Sequence, residues 1–386
     1  MSSTLTDRRA GPDRCPGALQ LHTAADGLLA RVRVPGGRLT AARWNALARL
    51  AAGHGDGHVE LTSRANLQLR GVRHADALAD GLAAAGLLPS ATHERVRNVV
   101  ASPLTGLDGN GFADVRPLVA ELDRALIADP LLAGLPGRFL FALDDGRGDV
   151  ARSDADLTAI AGPDGTFRLL TAGAEHGLAM PPSAVVPVLI MAARAFLAVR
   201  TLEGGTAWRL RELRGGAGLV AAIRAAAGEH LVAGAPTAEP VPAPTVGRLG
   251  RDAAGVLVPL GRLSPQQLGV LGSAGEELVV TPWRGVVVPG AAERLPQLAA
   301  AGLETEPASA WAGVTTCAGR PGCVKSLSDV RADASVRTRA AGRRPALPVH
   351  WIGCERGCGS PAGRHVRVLA TGPGAYEVER VDGRSI

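Results

Sequence analysis

The sequence predicts an α+β fold with a pseudo-twofold internal repeat, and two observations support that prediction. Blocks from the first quarter of the chain recur in the same order after residue 250, and each block alternates strand-like with helix-like patterns. A length of 386 residues exceeds one small core and indicates two to four compact units. With 46% hydrophobic and 20% charged residues, the composition is that of a globular protein.

The first copy of the repeat has a strand–helix–strand order. A strand-like segment runs from Gly27 to Thr40, an amphipathic stretch covers residues 41–52, and a second strand-like run at residues 59–62 ends at Arg64. Threonine is a favoured N-cap residue, so Thr40 marks the start of the predicted helix. Short connections between these elements are typical of a small α+β unit.

The second copy repeats this order in the C-terminal half. A strand-like segment at residues 255–263 leads to Ser264, which stands at the N-cap position of a helical stretch at residues 265–271. The next strand-like run, at residues 278–281, ends near Arg284. The agreement in order is the reason to prefer duplication over chance similarity.

The repeat extends beyond these elements and sets Cys317 opposite Ser102. Residues 97–100 follow the first copy, and residues 312–315 follow the second at the corresponding place. The second copy therefore carries cysteines where the first has none, which indicates duplication followed by the loss of one metal site.

Several further segments have readable signals. Residues 134–143 predict a turn followed by a strand, and residues 218–227 predict a helix. The apolar stretch at residues 184–199 contains Pro187 and Arg194, which favours a buried helix over a membrane span. The polar residues 1–14 show no secretory signal, so we expect a cytoplasmic protein that does not enter a membrane.

Four of the five cysteines form two pairs near the C-terminus. The spacing is Cys317-x5-Cys323 and Cys354-x3-Cys358. Four thiolates satisfy one [4Fe–4S] cluster, and clustered cysteines in a reducing compartment favour metal over disulfides. Zinc is the alternative, although structural zinc loops generally use shorter Cys-x2–4-Cys spacings.

The remaining cysteine and the segment after Cys323 carry weaker signals. Cys15 lies in a polar N-terminal tail and is expected to be an incidental thiol. Residues 324–334 predict a helix, whose N-terminus would face the cluster and stabilise its negative charge.

The basic residues are arginines, with Lys325 as the only lysine, and the net charge is +6. Arginine forms bidentate contacts with carboxylates, so this surface fits a polyanionic ligand. GC-rich coding also favours arginine and explains most of the count. Only 11 aromatic residues are present and no basic run occurs, which argues against a nucleic-acid surface.

Three segments and the cysteine spacing together resemble the sulfite/nitrite reductase family. The segments are residues 29–37, 61–71 and 97–100. The resemblance implies two ferredoxin-like half-domains packed with two α/β lobes, and a [4Fe–4S] cluster on the four C-terminal cysteines. It also implies that Arg31 and Arg64 line the pocket of an iron tetrapyrrole (sirohaem) and its anion.

The chain departs from the reductases at their Lys-x-Lys pair. Arg138 replaces the first lysine and Leu140 the second, so the cations that would bind sulfite and deliver protons are half missing. Residues 139–146 are more similar to a related branch, the precorrin-3B synthases of aerobic cobalamin biosynthesis.

That branch implies a monooxygenase for which the tetrapyrrole is the substrate. It hydroxylates precorrin-3A with O2 and closes a lactone. The implied partners are precorrin-3A, O2 and an electron donor, either NADH or a ferredoxin or flavodoxin. A mononuclear non-haem iron is associated with the branch, but its ligands are not identifiable here, nor are catalytic residues. The substrate's carboxylates are expected to meet five arginines: Arg31, Arg33, Arg64, Arg70 and Arg138.

The predicted organisation has five segments. The Pro-rich linker should be extended and semi-rigid. The alternatives to the synthase are a sirohaem-dependent sulfite or nitrite reductase and, more remotely, a zinc-stabilised binding protein. The segments are 15–90 (first half-domain), 91–232 (α/β lobe without cluster ligands), 233–245 (linker), 246–306 (second half-domain) and 307–386 (cluster lobe).

Overall fold

The computed structural model describes residues 13, 15–151, 153–232, 245–361 and 363–383. All of the predicted linker except Thr245 therefore lies outside the described residues. The strands are β1 (His22–Ala24), β2 (Gly27–Val32), β3 (Arg38–Thr40), β4 (Val59–Leu61), β5 (Leu67–Val72), β6 (Val99–Ala101), β7 (Phe141–Asp144), β8 (Leu157–Ala161), β9 (Phe167–Thr171), β10 (Ala174–Met180), β11 (Gly247–Leu249), β12 (Ala253–Leu257), β13 (Arg262–Leu263), β14 (Glu277–Val280), β15 (Gly285–Val288), β16 (Val314–Thr316), β17 (Val349–Ile352), β18 (His365–Gly372) and β19 (Ala375–Val381).

The helices of the described residues lie between groups of these strands along the chain. They are α1 (Ala41–His54), α2 (Ala75–Ala84), α3 (Arg116–Ala128), α4 (Val185–Leu202), α5 (Gly216–Ala227), α6 (Pro265–Gly272), α7 (Leu295–Ala300) and α8 (Val330–Ala341).

Two antiparallel sheets at the centre of the molecule exchange one strand each. The first has the order β1-β2-β5-β4-β13 and the second the order β11-β12-β15-β14-β3. Strand β13 of the second half pairs with β4 through Arg262 and Leu263, and β3 of the first half pairs with β14 through Leu39. The two halves therefore form one unit rather than two independent half-domains.

The predicted repeat is present at the level of single hydrogen bonds. Gly37 donates its N–H to the Val34 carbonyl, and Gly261 donates to the Val258 carbonyl, each at 2.8 Å. Thr40 caps α1, as predicted. Ser264 caps α6 and forms a capping box with Gln267.

The alignment of the second copy differs by one residue from the prediction. Ala65 donates its N–H to the Thr62 carbonyl and has φ 53°, while Arg284 donates to the Thr281 carbonyl and has φ 59°. Arg284 is thus the counterpart of Ala65, and Trp283 occupies the place of Arg64.

The first α/β lobe carries the largest hydrophobic core. Its sheet has the order β10-β9-β8-β7-β6, with β6, β7 and β8 parallel. Residues 182–202 are long and apolar enough to span a membrane. In the fold, however, Val188, Leu189 and Phe196 of α4 are fully buried in this lobe's core, so α4 is a core helix, as its sequence predicts.

The second α/β lobe is smaller and carries the four C-terminal cysteines. Strands β16, β17 and β18 are parallel, and β19 pairs antiparallel with β18. The helix expected at residues 324–334 was wrong in its start, because α8 begins only at Val330. Asp329 caps it by accepting the Ala332 N–H at 3.1 Å, and residues 324–329 remain in turns.

The predicted correspondence of Ser102 and Cys317 holds in both backbone and side chain. Ser102 donates its N–H to Leu143 at 3.1 Å, and Cys317 donates to Trp351 at 2.9 Å. The Ser102 hydroxyl accepts the Asp145 N–H at 3.1 Å, just as the Cys317 sulfur accepts the Gly353 N–H at 3.3 Å. The first lobe therefore keeps the geometry of the cysteine site without its sulfur.

A buried charge network occupies this place in the first lobe. Arg147 pairs with Asp145 at 2.8 Å and with Asp108 at 2.9 Å. Ser102 donates its hydroxyl to Asp149 at 2.6 Å. Burial, opposed by that hydrogen bond and reinforced by Asp144, raises the pKa of Asp149 to about 7.

We expect Asp149→Asn to stabilise the protein in a pH-dependent manner. The folded-state pKa of about 7 lies above the ordinary 3.8, so the Asp149 carboxyl makes folding less favourable as pH rises from about 4 to about 7. Asparagine can still accept from Ser102 but carries no charge. Thermal unfolding should show a midpoint several degrees higher at pH 8 and unchanged near pH 4. Exposed Asp80→Asn is the control, and equal midpoints for all three proteins at pH 8 would contradict the assignment.

Candidate functional site

The four cysteines lie on two loops at one edge of the second-lobe sheet. Cys317 follows β16 and Cys354 follows β17, and these strands are parallel neighbours. The carboxyl ends of parallel strands meet at the same edge, which is where ligands bind in α/β folds. Cys323 and Cys358 follow on the same two loops, and Cys358 is exposed.

The surroundings of Cys317 suit a sulfur ligand of negative charge. Burial raises the pKa of its thiol, while N–H groups of Gly353 and Gly319 act in the opposite direction by stabilising the thiolate. Cys323 and Cys358 are close enough to add their charge to this balance, so three of the four sulfurs are electrostatically coupled. A side chain at Gly319 would collide with Val330 at 2.8 Å, and its φ is 68°.

The two groups that these cysteines could bind, a [4Fe–4S] cluster or a zinc ion, need different sulfur spacings. Within the described ranges, no three His, Cys, Asp or Glu side chains are gathered closely enough to hold one metal ion. A structural zinc site needs four such atoms around one ion. In a cluster each cysteine binds a different iron atom, so the four sulfurs stand further apart.

His350 fixes the loop that carries Cys358. Its Nδ1 lies 2.7 Å from the Thr315 hydroxyl and its Nε2 lies 3.0 Å from the Cys358 carbonyl. Burial lowers the pKa of His350 to about 4, so the ring is neutral at pH 7. Because a carbonyl only accepts, Nε2 carries the proton and Nδ1 accepts from Thr315.

Arg70 connects the first half to the other cysteine loop. Its Nε and Nη2 donate to Asp26 at 2.7 and 2.8 Å, and Nη2 also donates to the Gly322 carbonyl at 2.8 Å. Gly322 directly precedes Cys323. We therefore revise the expectation that Arg70 binds substrate, since its guanidinium is committed to fastening this loop.

Three of the other predicted arginines meet in one recess of the first half. Arg33 is 4% exposed, and its Nη1 is buried without a hydrogen-bond partner, as is Nε of Arg31. Burial, together with Arg31 and Arg64, lowers the pKa of Arg33 to about 9. Burial and nearby Arg209 lower the pKa of Arg64 to about 10. Because arginine stays protonated in proteins, these three guanidinium groups concentrate positive charge in the recess.

Arg138 completes this recess together with Trp208 and Arg209, which the sequence analysis did not single out. The exposed Arg138 lies with its guanidinium 5.0 Å from the centre of the Trp208 ring. Arg209 is held by Asp156 at 2.8 Å and lies beside Arg64. Cys15 is partly buried near Arg33 and Arg138, and its expected role as an incidental thiol stays a prediction.

The N-terminal segment reaches this recess because its backbone is tied down at several points. Arg33 donates to the Pro16 carbonyl at 3.3 Å, and Arg31 donates its N–H to Gly17 at 2.8 Å. Asp13 accepts the Gly137 N–H at 2.6 Å. In the sequence, the one trace of this contact is Asp13 itself, an acceptor two residues before Cys15.

Leu140, which the resemblance sets against the second lysine of the reductases, is buried. It is 3% exposed and packs with Val100, Ala142, Val150 and Ala155 in a small apolar cluster. A lysine there would place an unpaired charge among apolar side chains, which is costly.

Glu60 connects the arginine recess to the cysteine lobe. Its Oε2 accepts from Gln68 at 2.7 Å, and Gln68 in turn accepts from Arg31 at 2.9 Å. Its Oε1 accepts from Arg331 of α8 at 2.6 Å. A continuous series of polar contacts thus runs from the recess to the second lobe.

Comparison with known proteins agrees with this architecture. Residues 22–85 match the nitrite/sulfite reductase ferredoxin-like half domain. The Mycobacterium tuberculosis NirA protein superposes with a TM-score of 0.73, covering 92% of this chain and 73% of that one at 22% identity. The chain is thus similar to nitrite and sulfite reductases in sequence over residues 22–85 and in fold over most of its length.

Two curated relatives of this family cover most of the chain. The Synechococcus elongatus ferredoxin–nitrite reductase is 28% identical over 86% of this chain and 74% of its own length. A Sinorhizobium precorrin-3B synthase is also 28% identical, over 93% of this chain and 80% of its own length. The predicted nitrite/sulfite reductase fold is confirmed. The chain is equally similar to the nitrite reductase and to the precorrin-3B synthase, so sequence identity does not separate the two activities.

We expect Arg70→Ala to loosen the Cys323 loop. Removing the guanidinium leaves the Gly322 carbonyl and Asp26 without their partner, so amides of residues 319–327 should exchange hydrogen roughly tenfold or more faster. Mass spectrometry of deuterium uptake measures this directly. The neighbouring exposed Arg73→Ala is the control and should leave the loop unchanged. Equal uptake in all three proteins would show that Arg70 does not hold the loop.

Proposed function

We propose that this protein converts precorrin-3A to precorrin-3B by O2-dependent hydroxylation and lactone formation. A [4Fe–4S] cluster on Cys317, Cys323, Cys354 and Cys358 would supply single electrons. The observation that carries the choice of a synthase over a reductase is Leu140, whose burial removes a cation that sulfite or nitrite reduction would use.

The arginine recess supports a polycarboxylate substrate. Arg31, Arg33 and Arg64 carry three positive charges, and no carboxylate of the described residues forms an ion pair with any of them. Such desolvated cations bind peripheral carboxylates of a tetrapyrrole by charge-assisted hydrogen bonds. Arg138 at the exposed edge would meet a further carboxylate, whereas Arg70 would only position the cysteine loop.

The cysteine loops support the cluster assignment. Cys317 receives N–H groups of Gly353 and Gly319, which stabilise sulfur of negative charge. His350 holds the backbone of Cys358, so the exposed cysteine keeps a fixed direction. The nitrite/sulfite reductase relatives carry a [4Fe–4S] cluster and sirohaem, and the matching cysteine pattern extends the cluster to this chain.

The reaction balances with a two-electron donor. One atom of O2 enters the substrate and the other leaves as water, which consumes two electrons and two protons. The donor, NADH or a ferredoxin or flavodoxin, stays a prediction, as does the cytoplasmic location. The mononuclear iron also stays a prediction. Its ligands are not assigned, since no three His, Cys, Asp or Glu side chains of the described residues are grouped closely enough to hold one metal ion.

A sirohaem-dependent nitrite reductase is the second candidate. It is favoured by the 28% identity to the Synechococcus elongatus enzyme. In that reading the recess would hold a cofactor and its anion instead of a substrate.

Turnover under controlled oxygen tests the proposal. The protein, purified anaerobically, should convert precorrin-3A to a product heavier by one oxygen atom only when O2 and a reductant are present. Mass spectrometry with 18O2 measures the gain. The as-isolated protein should show cluster absorption without sirohaem bands. Sirohaem bands together with nitrite or sulfite consumption would overturn the synthase and establish the reductase.

The ligand assignment has its own test. Cys354→Ser should lose the cluster, seen as loss of iron, sulfide and the visible absorption of the purified protein, because serine replaces a thiolate ligand. Cys15→Ser is the matched control, since it also removes one thiol but should keep the full iron content. Unchanged iron in Cys354→Ser would refute the assignment.

A further inference from the structure

Arg284 is a cation that the fold brings inside without a partner. It lies half-buried in the turn between β14 and β15, and within the described part of the chain its guanidinium forms no hydrogen bond or ion pair. Burial lowers its pKa. None of its nitrogens is buried away from solvent without a partner, so the guanidinium remains open to an anionic ligand.

The surroundings of Arg284 lie on the side of the cysteine loops. A Cβ at Gly261 would stand 2.5 Å from the Arg284 Cδ, so the glycine makes room for the side chain. Leu260, the residue before Gly261, packs in the apolar cluster of the second lobe that includes Cys317. Arg284 therefore lies on the side of the molecule that carries the cysteine loops.

Glu60 relates Arg284 to the arginine recess. On β4, Glu60 pairs with Arg262, the residue after Gly261, and with Gln68 of β5. Gln68 in turn pairs with Arg31 of β2, so Arg31 lies at one end of this row of paired strand residues and Arg284 lies beside the other. Glu60 does not satisfy Arg284, however, because its two oxygens already accept from Gln68 and Arg331. The cation of the second half thus stays available to a ligand.

The backbone at this turn is itself unusual. Arg284 has φ 59°, which lies in the left-handed region of backbone conformation. Residues other than glycine and asparagine adopt this region at a cost in free energy. Its counterpart Ala65 has the same conformation without a charge. Beside it, Trp283 is 41% exposed, a large apolar ring in the place that Arg64 takes in the first half. Such outliers concentrate at binding sites.

We infer that Arg284 binds a peripheral carboxylate of the tetrapyrrole from the second half, across from Arg31 and Arg64. The inference rests on the proposed function, because it takes the tetrapyrrole as the ligand. It adds a specificity-determining contact next to the cysteine loops, so the macrocycle is held by cations from both halves of the repeat.

Binding of uroporphyrin, an octacarboxylate tetrapyrrole, to the cluster-containing protein tests this contact. Quenching of porphyrin fluorescence gives the Kd. Arg284→Gln should weaken binding roughly ten- to a hundredfold, the usual effect of losing a charge-assisted hydrogen bond. Arg284→Lys should recover part of the loss, because it keeps the charge but not the planar fork. Arg294→Gln, an exposed arginine of the same half, is the control.

A second variant separates binding from folding. Arg284→Asn should raise the thermal midpoint, because asparagine tolerates the left-handed conformation, and yet weaken uroporphyrin binding. A purely structural arginine would lower the midpoint in both Arg284→Gln and Arg284→Asn and leave the Kd unchanged, which would overturn the inference.

The outcomes also distinguish this inference from the proposed function. If Arg64→Gln weakens binding and Arg284→Gln does not, the tetrapyrrole site stands and the role of Arg284 falls. If the unaltered protein does not bind uroporphyrin at all, the proposed function and this inference fall together.

Discussion

The exchange of β3 and β13 between the two central sheets is the constraint on which the rest of the molecule depends. Each half completes its sheet with a strand from the other, so neither can bury its edge alone. This pairing fixes the β4–β5 turn of Arg64 relative to the β14–β15 turn of Arg284. The same pairing positions the two lobes, so that Arg70 of the first half reaches the Gly322 carbonyl beside Cys323 in the second lobe.

The charges of the site are divided by a simple rule. Arginines that hold the architecture have carboxylate partners, as Arg70 has in Asp26 and Arg147 has in Asp145. Among the described residues, Arg31, Arg33 and Arg64 of the recess form no ion pair with a carboxylate, and burial lowers the pKa of Arg33 and of Arg64. Buried charges of one sign need compensation. A ligand with several carboxylates resolves this conflict, and a single small anion resolves only part of it.

Much of this arrangement is predictable from the sequence, because duplication leaves the same signals twice. Short-range patterns predict the N-caps Thr40 and Ser264. They also predict that Ser102 and Cys317 occupy equivalent positions in the two copies of the repeat. Contacts between distant segments do not: strand exchange pairs residues 200 or more positions apart, such as Glu60 and Arg262. The helix start at Val330 was missed because Asp329 is a cap that apolar periodicity does not register. The docking of Cys15 depends on hydrogen bonds that no local pattern encodes.

The first lobe has a buried charge network where the second lobe has its cysteines, and this difference bears on how cooperatively the protein unfolds. That lobe has an extensive apolar core and closes its Ser102 site with Arg147 and its acidic partners. The second lobe buries only a small set of apolar side chains around Trp351. With the proposed cluster on its four cysteines, this lobe would depend on the metal for much of its stability. Loss of iron would then melt this lobe while the rest of the molecule stays folded, so the apoprotein would unfold in two steps rather than one.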